Sequence, residues 1–509
     1  MKILDCTLRD GGYYTNWDFD KKTVDRYISA MNKLPVDYIE IGYRNKLSSK
    51  YAGKYFYMPL YELKDIRQKT DKKLVIILME DDVEIADLDA LLGPIKGLAD
   101  MIRIAFSPSK ITYAIELAKA VKSYGFEVGF NVMYMSEWLD NTDFMKNLDQ
   151  VNEVADVFYM VDSYGGVFPE DMVTIIQKVK EKVTCPLGFH GHDNLHMALA
   201  NAFTAIKHGV EYIDATIMGM GRGAGNLQME LLLTALNKKI DLEVDFYELE
   251  RAVSAIMPLW KKHLWGTNLP YMISGSNSFS QGAVMDWETS PFYTFNSIIR
   301  TLNNKKDEAA DYKQYKTCEF KPSDEVLIVG SDISVSNDID GILHFLKQHP
   351  NLTIIHSSST NVQYLTNLSH RRYFCLVGNA GKRLERHSNY DGPCILPPNP
   401  EETGTYVPQK LADKTYKLSD ISYDEKFNDR QTALALQMAE NLKAKHVFLI
   451  GHDGISNKTQ TKRDFAIVDQ NELLFSTAAK KFKTFESLTE TNYTSLPNNA
   501  NLFYYLTQE

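Results

Sequence analysis

From the N-terminus to about residue 240, short apolar runs rich in β-branched residues alternate with longer amphipathic segments. The runs are Lys2–Leu8, Asp37–Tyr43, Lys73–Met79, Met101–Phe106, Glu127–Tyr134, Val157–Asp162, Pro186–His192 and Tyr212–Met218. Between them, stretches such as TVDRYISAMNKL, ITYAIELAKAVKSYG, DMVTIIQKVKEKV and MALANAFTAIKHG repeat apolar residues at three- and four-residue spacing. That is the period of a helix with one buried face. Eight strand–helix units of this total length match the size and count of a closed barrel of parallel strands. An open doubly wound sheet has the same local rhythm, but its glycine-rich phosphate fingerprint is missing after the first strand. The pattern therefore predicts an α/β fold, a (β/α)8 TIM barrel over residues 1–240.

Residues 241–302 read as a mostly helical extension of the barrel (DFYELERAVSAIMPLWKKHLW, then a segment rich in serine and asparagine). Residues 303–322, with NKKDEAADYKQYK, are charged and poor in apolar positions, and are expected to be a linker or an exposed helix. The β/α rhythm then resumes in EVLIVG, DIDGILHFLKQH, LTIIHSSS and YFCLVGNAG. A Pro/Gly-rich loop, DGPCILPPNPEETGTYVP, follows, and then the helix RQTALALQMAENLKAK and the strand HVFLIGHDG. Residues 323–509 thus read as a second α/β, Rossmann-like domain. VGSDIS, VGNAGKR and GHDG fall at the carboxyl ends of its strands, where open α/β sheets bind ligands. Through two short glycine motifs the domain resembles sugar-nucleotide-handling α/β domains, which implies a nucleotide or sugar nucleotide as ligand; no Walker or GxGxxG pattern is present.

Composition narrows the class. The 509 residues are 44% hydrophobic and 24% charged, as in an ordinary globular chain, and the net charge of -10 argues against nucleic acid or an anionic membrane as partner. No apolar run approaches the roughly 18 residues of a membrane span. The start, MKILDCTLRD, carries an aspartate and an arginine where a signal peptide needs apolar residues. Five cysteines without CxxC spacing fit reduced thiols. The expected location is the cytoplasm.

Chemistry in such a barrel belongs at the carboxyl ends of its strands. Strand 1 is expected to end in Arg9-Asp10-Gly11-Gly12, strand 7 in His190-Gly191-His192-Asp193-Asn194, and strand 8 to lead into the glycine-rich GMGRGAGN. Side chains two apart on a strand share a face, so His190 and His192 project together into the barrel mouth. Barrel closure brings Asp10 beside them. With Asn226 as an amide-oxygen donor, they form an open N/O site suited to Mn²⁺, Mg²⁺, Co²⁺ or Zn²⁺. An isolated HxH on a strand is more often incidental; its co-occurrence with Asp10 on a neighbouring strand end raises its weight.

LRDGG, GFHGHDNLHMALAN and MGMGRGAGN together resemble the DRE-TIM metallolyase superfamily, and among its members most nearly the 4-hydroxy-2-oxovalerate aldolases. The resemblance covers roughly residues 1–300. It implies that Asp10, His190 and His192 hold a divalent metal, joined in some members by Asn226. It also implies that Arg9 stabilises the enolate oxygen of a bound 2-oxo acid, and that the partners are a small 2-oxo acid such as pyruvate and an aldehyde. A homo-oligomer is left open. The sequence departs from that family at one point: the aldolases carry a base histidine three residues after the metal aspartate, and this chain has Tyr13. Tyr13, Tyr271 (in NLPYMISG) and a metal-bound hydroxide remain as proton acceptors. The loop cysteine of the acyl-CoA lyases and the Glu-Gln of the Claisen synthases are both missing.

Position nominates further residues. Glu40 and Arg44 end strand 2, Asn131 ends strand 5, and Asp162 and Ser163 end strand 6; polar groups facing a barrel mouth usually touch substrate. Glu40 has a second role open to it, an ion pair with an arginine such as Arg103. The nearest lysine to a strand end is Lys46, which weighs against a Schiff-base aldolase. The sequence thus points first to a metal-dependent aldolase or lyase. A Claisen-type acyltransferase is the enzymatic alternative, and a non-catalytic barrel fused to a working C-terminal domain is a third.

Overall fold

A computed structural model of the chain describes residues 1–48, 51–289, 295–306, 320–387, 390–398, 405–423, 430–454, 462–496 and 501–507. Contacts divide the chain into two compact units, Met1–Asp286 and Trp287–Glu509.

The first unit is a closed barrel of eight parallel strands in sequence order, β1 (Lys2–Asp5), β2 (Tyr38–Tyr43), β3 (Lys73–Met79), β4 (Met101–Phe106), β5 (Glu127–Val132), β6 (Val157–Asp162), β7 (Leu187–Gly191) and β8 (Tyr212–Ala215). β8 closes on β1, with Lys2 opposite Tyr212 and Asp5 opposite Ala215. β2, β4 and β6 are buried at every position, because helices cover the outside and side chains fill the inside. The period of two then sorts the residues. Ile39, Ile76, Ile102, Ile104, Phe130, Phe158 and Phe189 pack outward against the helices. Leu4, Tyr38, Val75, Met101, Val157 and Tyr159 fill the bottom of the interior. Farther along the same inward faces come Glu40, Arg103, His190 and Asp214, all buried. The core therefore turns from apolar to charged toward the carboxyl end. A register irregularity between Glu40 and Gly42 in β2 lies in this charged layer, the kind of local bend that re-aims side chains next to a site. Gly188 is fixed by packing: a Cβ there would lie 2.3 Å from the Tyr159 ring.

The first strand is shorter than expected. It ends at Asp5, and Thr7–Thr15 form a helix, α1, so Arg9 and Asp10 lie in a helix turn and not at a strand end. The cause is local. The Asp5 carboxylate accepts from the Thr7 N–H (2.9 Å) and the Thr7 hydroxyl (2.9 Å), which turns the chain. The expected helices are present at Lys21–Met31, Ile111–Ser123, Pro169–Lys180 and Ala198–Lys207. In the extension, Phe246–His263 and Leu269–Ser276 are helices of the first unit. Phe295–Lys306 is a helix of the second unit, and residues 307–319 of the expected linker lie outside the described residues.

The second unit holds a parallel sheet of seven strands: β9 (Glu325–Val329), β10 (Thr353–His356), β11 (Arg372–Cys375), β12 (Cys394–Leu396), β13 (Thr415–Lys417), β14 (His446–Ile450) and β15 (Thr484–Ser487). Their order is β13-β12-β11-β10-β9-β14-β15. The chain builds outward from β9 on one side, then returns to its other side with β14, which makes the carboxyl ends of β9, β10 and β14 a topological switch point. The Pro/Gly-rich loop is partly a strand: Cys394–Leu396, between Pro393 and Pro397, is β12. Among the described residues, no helix is long and apolar enough to cross a membrane.

Candidate active site

α1 places Arg9, Asp10 and Tyr13 three and four residues apart, hence on one helix face. That face meets the charged layer of the barrel. Arg9 donates to Asp10 through Nη1 and to Glu40 through Nε. Glu40 accepts from Arg103 Nη1 (3.0 Å), and Arg103 Nη2 pairs with Asp214 Oδ2 (2.7 Å). Asp214 Oδ2 faces His190 Nδ1 at 2.9 Å, and His190 Nε2 returns to Asp10 Oδ2 at 3.6 Å. Six side chains from α1, β2, β4, β7 and β8 thus close a ring. The Arg103 guanidinium lies 3.9 Å above the Tyr159 ring, and its Nη2 also donates to Asn131. Every member is almost wholly buried, so each charge depends on its neighbours for solvation.

The ring sets the state of His190, and the Asp162 carbonyl that of His192. With Nδ1 of His190 donating to Asp214 and Nδ1 of His192 donating to the Asp162 carbonyl (2.7 Å), both Nε2 atoms carry lone pairs. These tautomers follow from the hydrogen-bond partners. Burial lowers the pKa of both, that of His190 well below the usual value, so both are neutral. Asn226 donates through Nδ2 to Asp10 Oδ2 (2.6 Å), and its Oδ1 is buried without a partner. A backbone bridge pairs Asn226 with His192. Asp10 Oδ2, two imidazole Nε2 atoms and an orphaned amide oxygen are a donor set that fits a divalent cation. A carboxylate and a backbone carbonyl orient the imidazoles from behind, as in many metal sites. Cys6, His190 and Asp214 also offer ligand atoms within 4.8 Å of one another. They meet on the Nδ1 side, however, where Asp214 is held by Arg103 and burial keeps the Cys6 thiol protonated, its pKa pushed well up.

A cavity of about 110 Å³ opens beside these groups, lined by Arg9, Asp10, Tyr13, Asn131, Ser163, His190 and His192, all nominated from the sequence. Five other expected residues do not line it. Glu40 is wholly buried between Arg9 and Arg103, the structural role left open to it. Asp162, its pKa raised to about 6 by burial, accepts from the Gly166 and Val167 N–H groups (both 3.2 Å) and shapes its own loop. The Tyr271 ring packs against Gly223, where a Cβ would meet it at 2.8 Å. Asn226 is covered by Asp10 and the glycine-rich loop. Arg44 donates to the Met58 carbonyl (2.8 Å), and Lys46 pairs with Asp87 (2.7 Å), so neither faces the cavity.

Sequence reasoning missed Tyr43, Arg222 and Gln281 in the cavity wall, and Asp214 behind His190. Asp214 and Arg103 did leave a signal, as charges on the inward phase of the apolar runs YIDA and MIRIAF. Gln281 left none, because its contacts, to the Ala224 N–H (3.1 Å) and the Ser163 carbonyl (3.1 Å), join distant segments. The glycine-rich loop is shaped by Gly223 and Gly225, at φ +62° and +82°; at Gly225 a Cβ would also lie 2.3 Å from the Gly219 carbonyl.

An eight-stranded barrel with Asp10, His190, His192 and Asn226 at its carboxyl mouth defines a class, and comparison with known proteins gives the family. A sequence profile described as HMGL-like matches residues 102–256. A 4-hydroxy-2-oxovalerate aldolase from Geobacillus genomosp. 3 is 28% identical over 272 residues, 50% of this chain and 77% of that protein. An oxaloacetate decarboxylase from Mycobacterium tuberculosis is 28% identical over 247 residues, 47% of this chain and 70% of that protein. The crystal structure of the N-terminal domain of a protein described as a candidate aldolase, from Bacteroides vulgatus, is 56% identical. It covers 59% of this chain and 99% of that domain, with a TM-score of 0.57. Through its barrel, the chain belongs to the HMGL-like family of DRE-TIM proteins.

Proposed function

We propose that the barrel is a divalent-metal-dependent aldolase that cleaves or forms the carbon–carbon bond next to a 2-oxo acid, acting on 4-hydroxy-2-oxo acids. One observation carries the reading: Asp10, His190 and His192 line one cavity, Asn226 with its orphaned Oδ1 is hydrogen-bonded to Asp10, and α1 also brings Arg9 and Tyr13 to that cavity. A cation held by these donors supplies Lewis-acid polarisation of the 2-oxo group when bound. Mn²⁺, Mg²⁺, Co²⁺ and Zn²⁺ all suit the donor set.

The chain's own residues supply the rest. Arg9 is fixed by Asp10 and Glu40, and its Nη2 is buried with no partner. That N–H is a preset donor for oxygen that gains negative charge, as the 2-oxo oxygen does on passing to an enolate. In the cleavage direction, the C4 hydroxyl loses its proton, its electrons form the aldehyde carbonyl, the C3–C4 bond breaks, and that pair becomes the enolate. Protonation at C3 then gives pyruvate. Tyr13 is the cavity's proton-carrying group closest in sequence to the donor set, and its hydroxyl lies 3.4 Å from that of Tyr43. Burial pushes Tyr43 well above the ordinary phenol range, so Tyr43 stays protonated, and either hydroxyl of the pair can donate to the other.

The test is pyruvate release from a panel of 4-hydroxy-2-oxo acids after chelation by EDTA and again after addition of Mn²⁺. Activity that vanishes and returns supports the reading. Unchanged turnover in EDTA, or none with any divalent ion, removes it.

For the second unit, residues 323–509, we propose nucleotide or sugar-nucleotide binding at the switch point. The support is the sheet order around β9 and the polar loops after β9, β10 and β14, where Asp332, Ser357 and Asp453 lie. Equilibrium binding of nucleoside diphosphates and their sugar conjugates to the full chain tests it, and saturable binding by none of them would end it.

A further inference from the structure

We propose that Arg222 makes the barrel selective for substrates whose aldehyde-derived half carries an anion, a carboxylate or a phosphate. The inference rests on the aldolase reading above and names its substrate class.

Arg222 lies in the glycine-rich loop after β8 and lines the same cavity as Arg9, Asp10 and the two histidines. Among the described residues the only carboxylate in the cavity wall is Asp10, and Arg9 already pairs with it. Arg222 has no ion pair among the described residues, while the other cavity arginine has two. The wall therefore holds one uncompensated positive charge.

The side chain is exposed to solvent, and two contacts bracket its guanidinium. The guanidinium carbon lies 5.0 Å from the centre of the Tyr13 ring, within the range of a cation–π contact. On another side it lies against the backbone of Gly282, where a Cβ would come within 2.1 Å of Nη2. Gln281, the neighbour of Gly282, is tied to Ala224 and to Ser163. An arginine merely solvated at a rim needs neither a stacking ring nor a glycine to make room for it. The fork is presented, ready to bind an oxyanion through two N–H groups.

The order of groups along the cavity gives the orientation. Tyr13 shares a helix face with Arg9 and Asp10 and meets Arg222 through its ring. A 2-oxo acid held at Arg9 and the metal donors brings its C4 hydroxyl toward Tyr13, and whatever C4 carries next reaches Arg222. For a neutral alkyl group that contact is wasted; for an anion it is a charge-assisted hydrogen bond worth about 10- to 100-fold in affinity.

The experiment uses the full-length, Mn²⁺-loaded protein. kcat/KM is measured for three 4-hydroxy-2-oxo acids whose distal group is a carboxylate, a phosphate ester or a methyl. The expected anion-to-methyl ratio is about tenfold or more, and the better of the two anions identifies the source. Arg222→Met is expected to collapse that ratio toward one, and Arg222→Lys to keep part of it. A wild-type ratio near one, or a loss in Arg222→Met that is equal for all three substrates, overturns the proposal. Binding of 2-oxoglutarate against 2-oxopentanoate gives a second readout in which no bond breaks. If the wild type neither cleaves any substrate nor exchanges deuterium into the pyruvate methyl group, the aldolase reading fails. The binding ratio, and its change in Arg222→Met, then decides the Arg222 proposal alone.

Discussion

A single carboxylate oxygen, Asp214 Oδ2, lies 2.7 Å from Arg103 Nη2 and 2.9 Å from His190 Nδ1, so Arg103 and His190 share one acceptor. The guanidinium keeps that carboxylate charged in a place where burial pushes its pKa up, and the charged carboxylate keeps the proton of His190 on Nδ1. The face of the imidazole turned to the cavity is thereby a lone pair.

Asp214→Asn removes the charge while keeping the shape. It is expected to weaken Mn²⁺ binding about 10- to 100-fold, read by isothermal titration, with circular dichroism confirming a folded barrel. An unchanged dissociation constant in a folded variant would show that Asp214 does not orient His190.

Tyr13→Phe keeps the ring on which Arg222 stacks and deletes only the hydroxyl. Loss of a group that carries a proton in the transition state costs about 10²- to 10⁴-fold. The fall is expected in kcat for carbon–carbon cleavage, with KM changed little. A variant within threefold of wild type would move the proton transfer to another group.

The barrel also stores a pH dependence away from the site. Asp5 is buried, and its pKa is raised to about 7, chiefly by burial, against the hydrogen bonds from Tyr27 and Thr7. An acid whose folded pKa lies above its unfolded one binds more protons when folded. Its contribution is therefore full below pH 4 and is lost as pH rises toward 7, by up to about 4 kcal/mol. Asp5→Asn abolishes that slope and is expected to raise the melting temperature at pH 8 more than at pH 5. An equal shift at both values refutes the assignment.

His356, at the end of β10, carries the opposite sign. Both ring nitrogens are buried without partners, the ring stacks on Phe374 at 5.1 Å, and burial lowers its pKa to about 3. Its neutral form is the folded one, so stability is complete above pH 6.5 and falls as pH drops toward 3. His356→Phe is expected to stabilise the second unit by about 1–3 kcal/mol, and more at pH 5 than at pH 7. Hydrogen exchange of the β10 peptide, corrected for intrinsic rates, measures it; faster exchange in the variant at both pH values contradicts it.

How far the sequence carried these features depended on whether each was local. The barrel strands were legible because they are four to seven residues long, apolar and set between amphipathic helices. β12 and β13, three residues each, are too short to show a period. The overrun of β1 came from Leu8, apolar yet helical, since the turn made by Asp5 and Thr7 is a side-chain event. His190 and His192 announced themselves by their spacing. The partners of Glu40 did not: Arg9 is 31 residues away and Arg103 is 63, and only closure of the barrel selects an ion pair over a substrate contact. Arg222 stood in a loop that had drawn attention for its glycines. Its neighbour Gly282 shows its purpose only in space.

The nine residues of α1 carry Arg9, Asp10 and Tyr13, the clamp, metal donor and proton carrier of the proposed reaction, on one face. Since each residue advances a helix by about 100°, one codon gained or lost between Arg9 and Tyr13 would rotate these roles apart together.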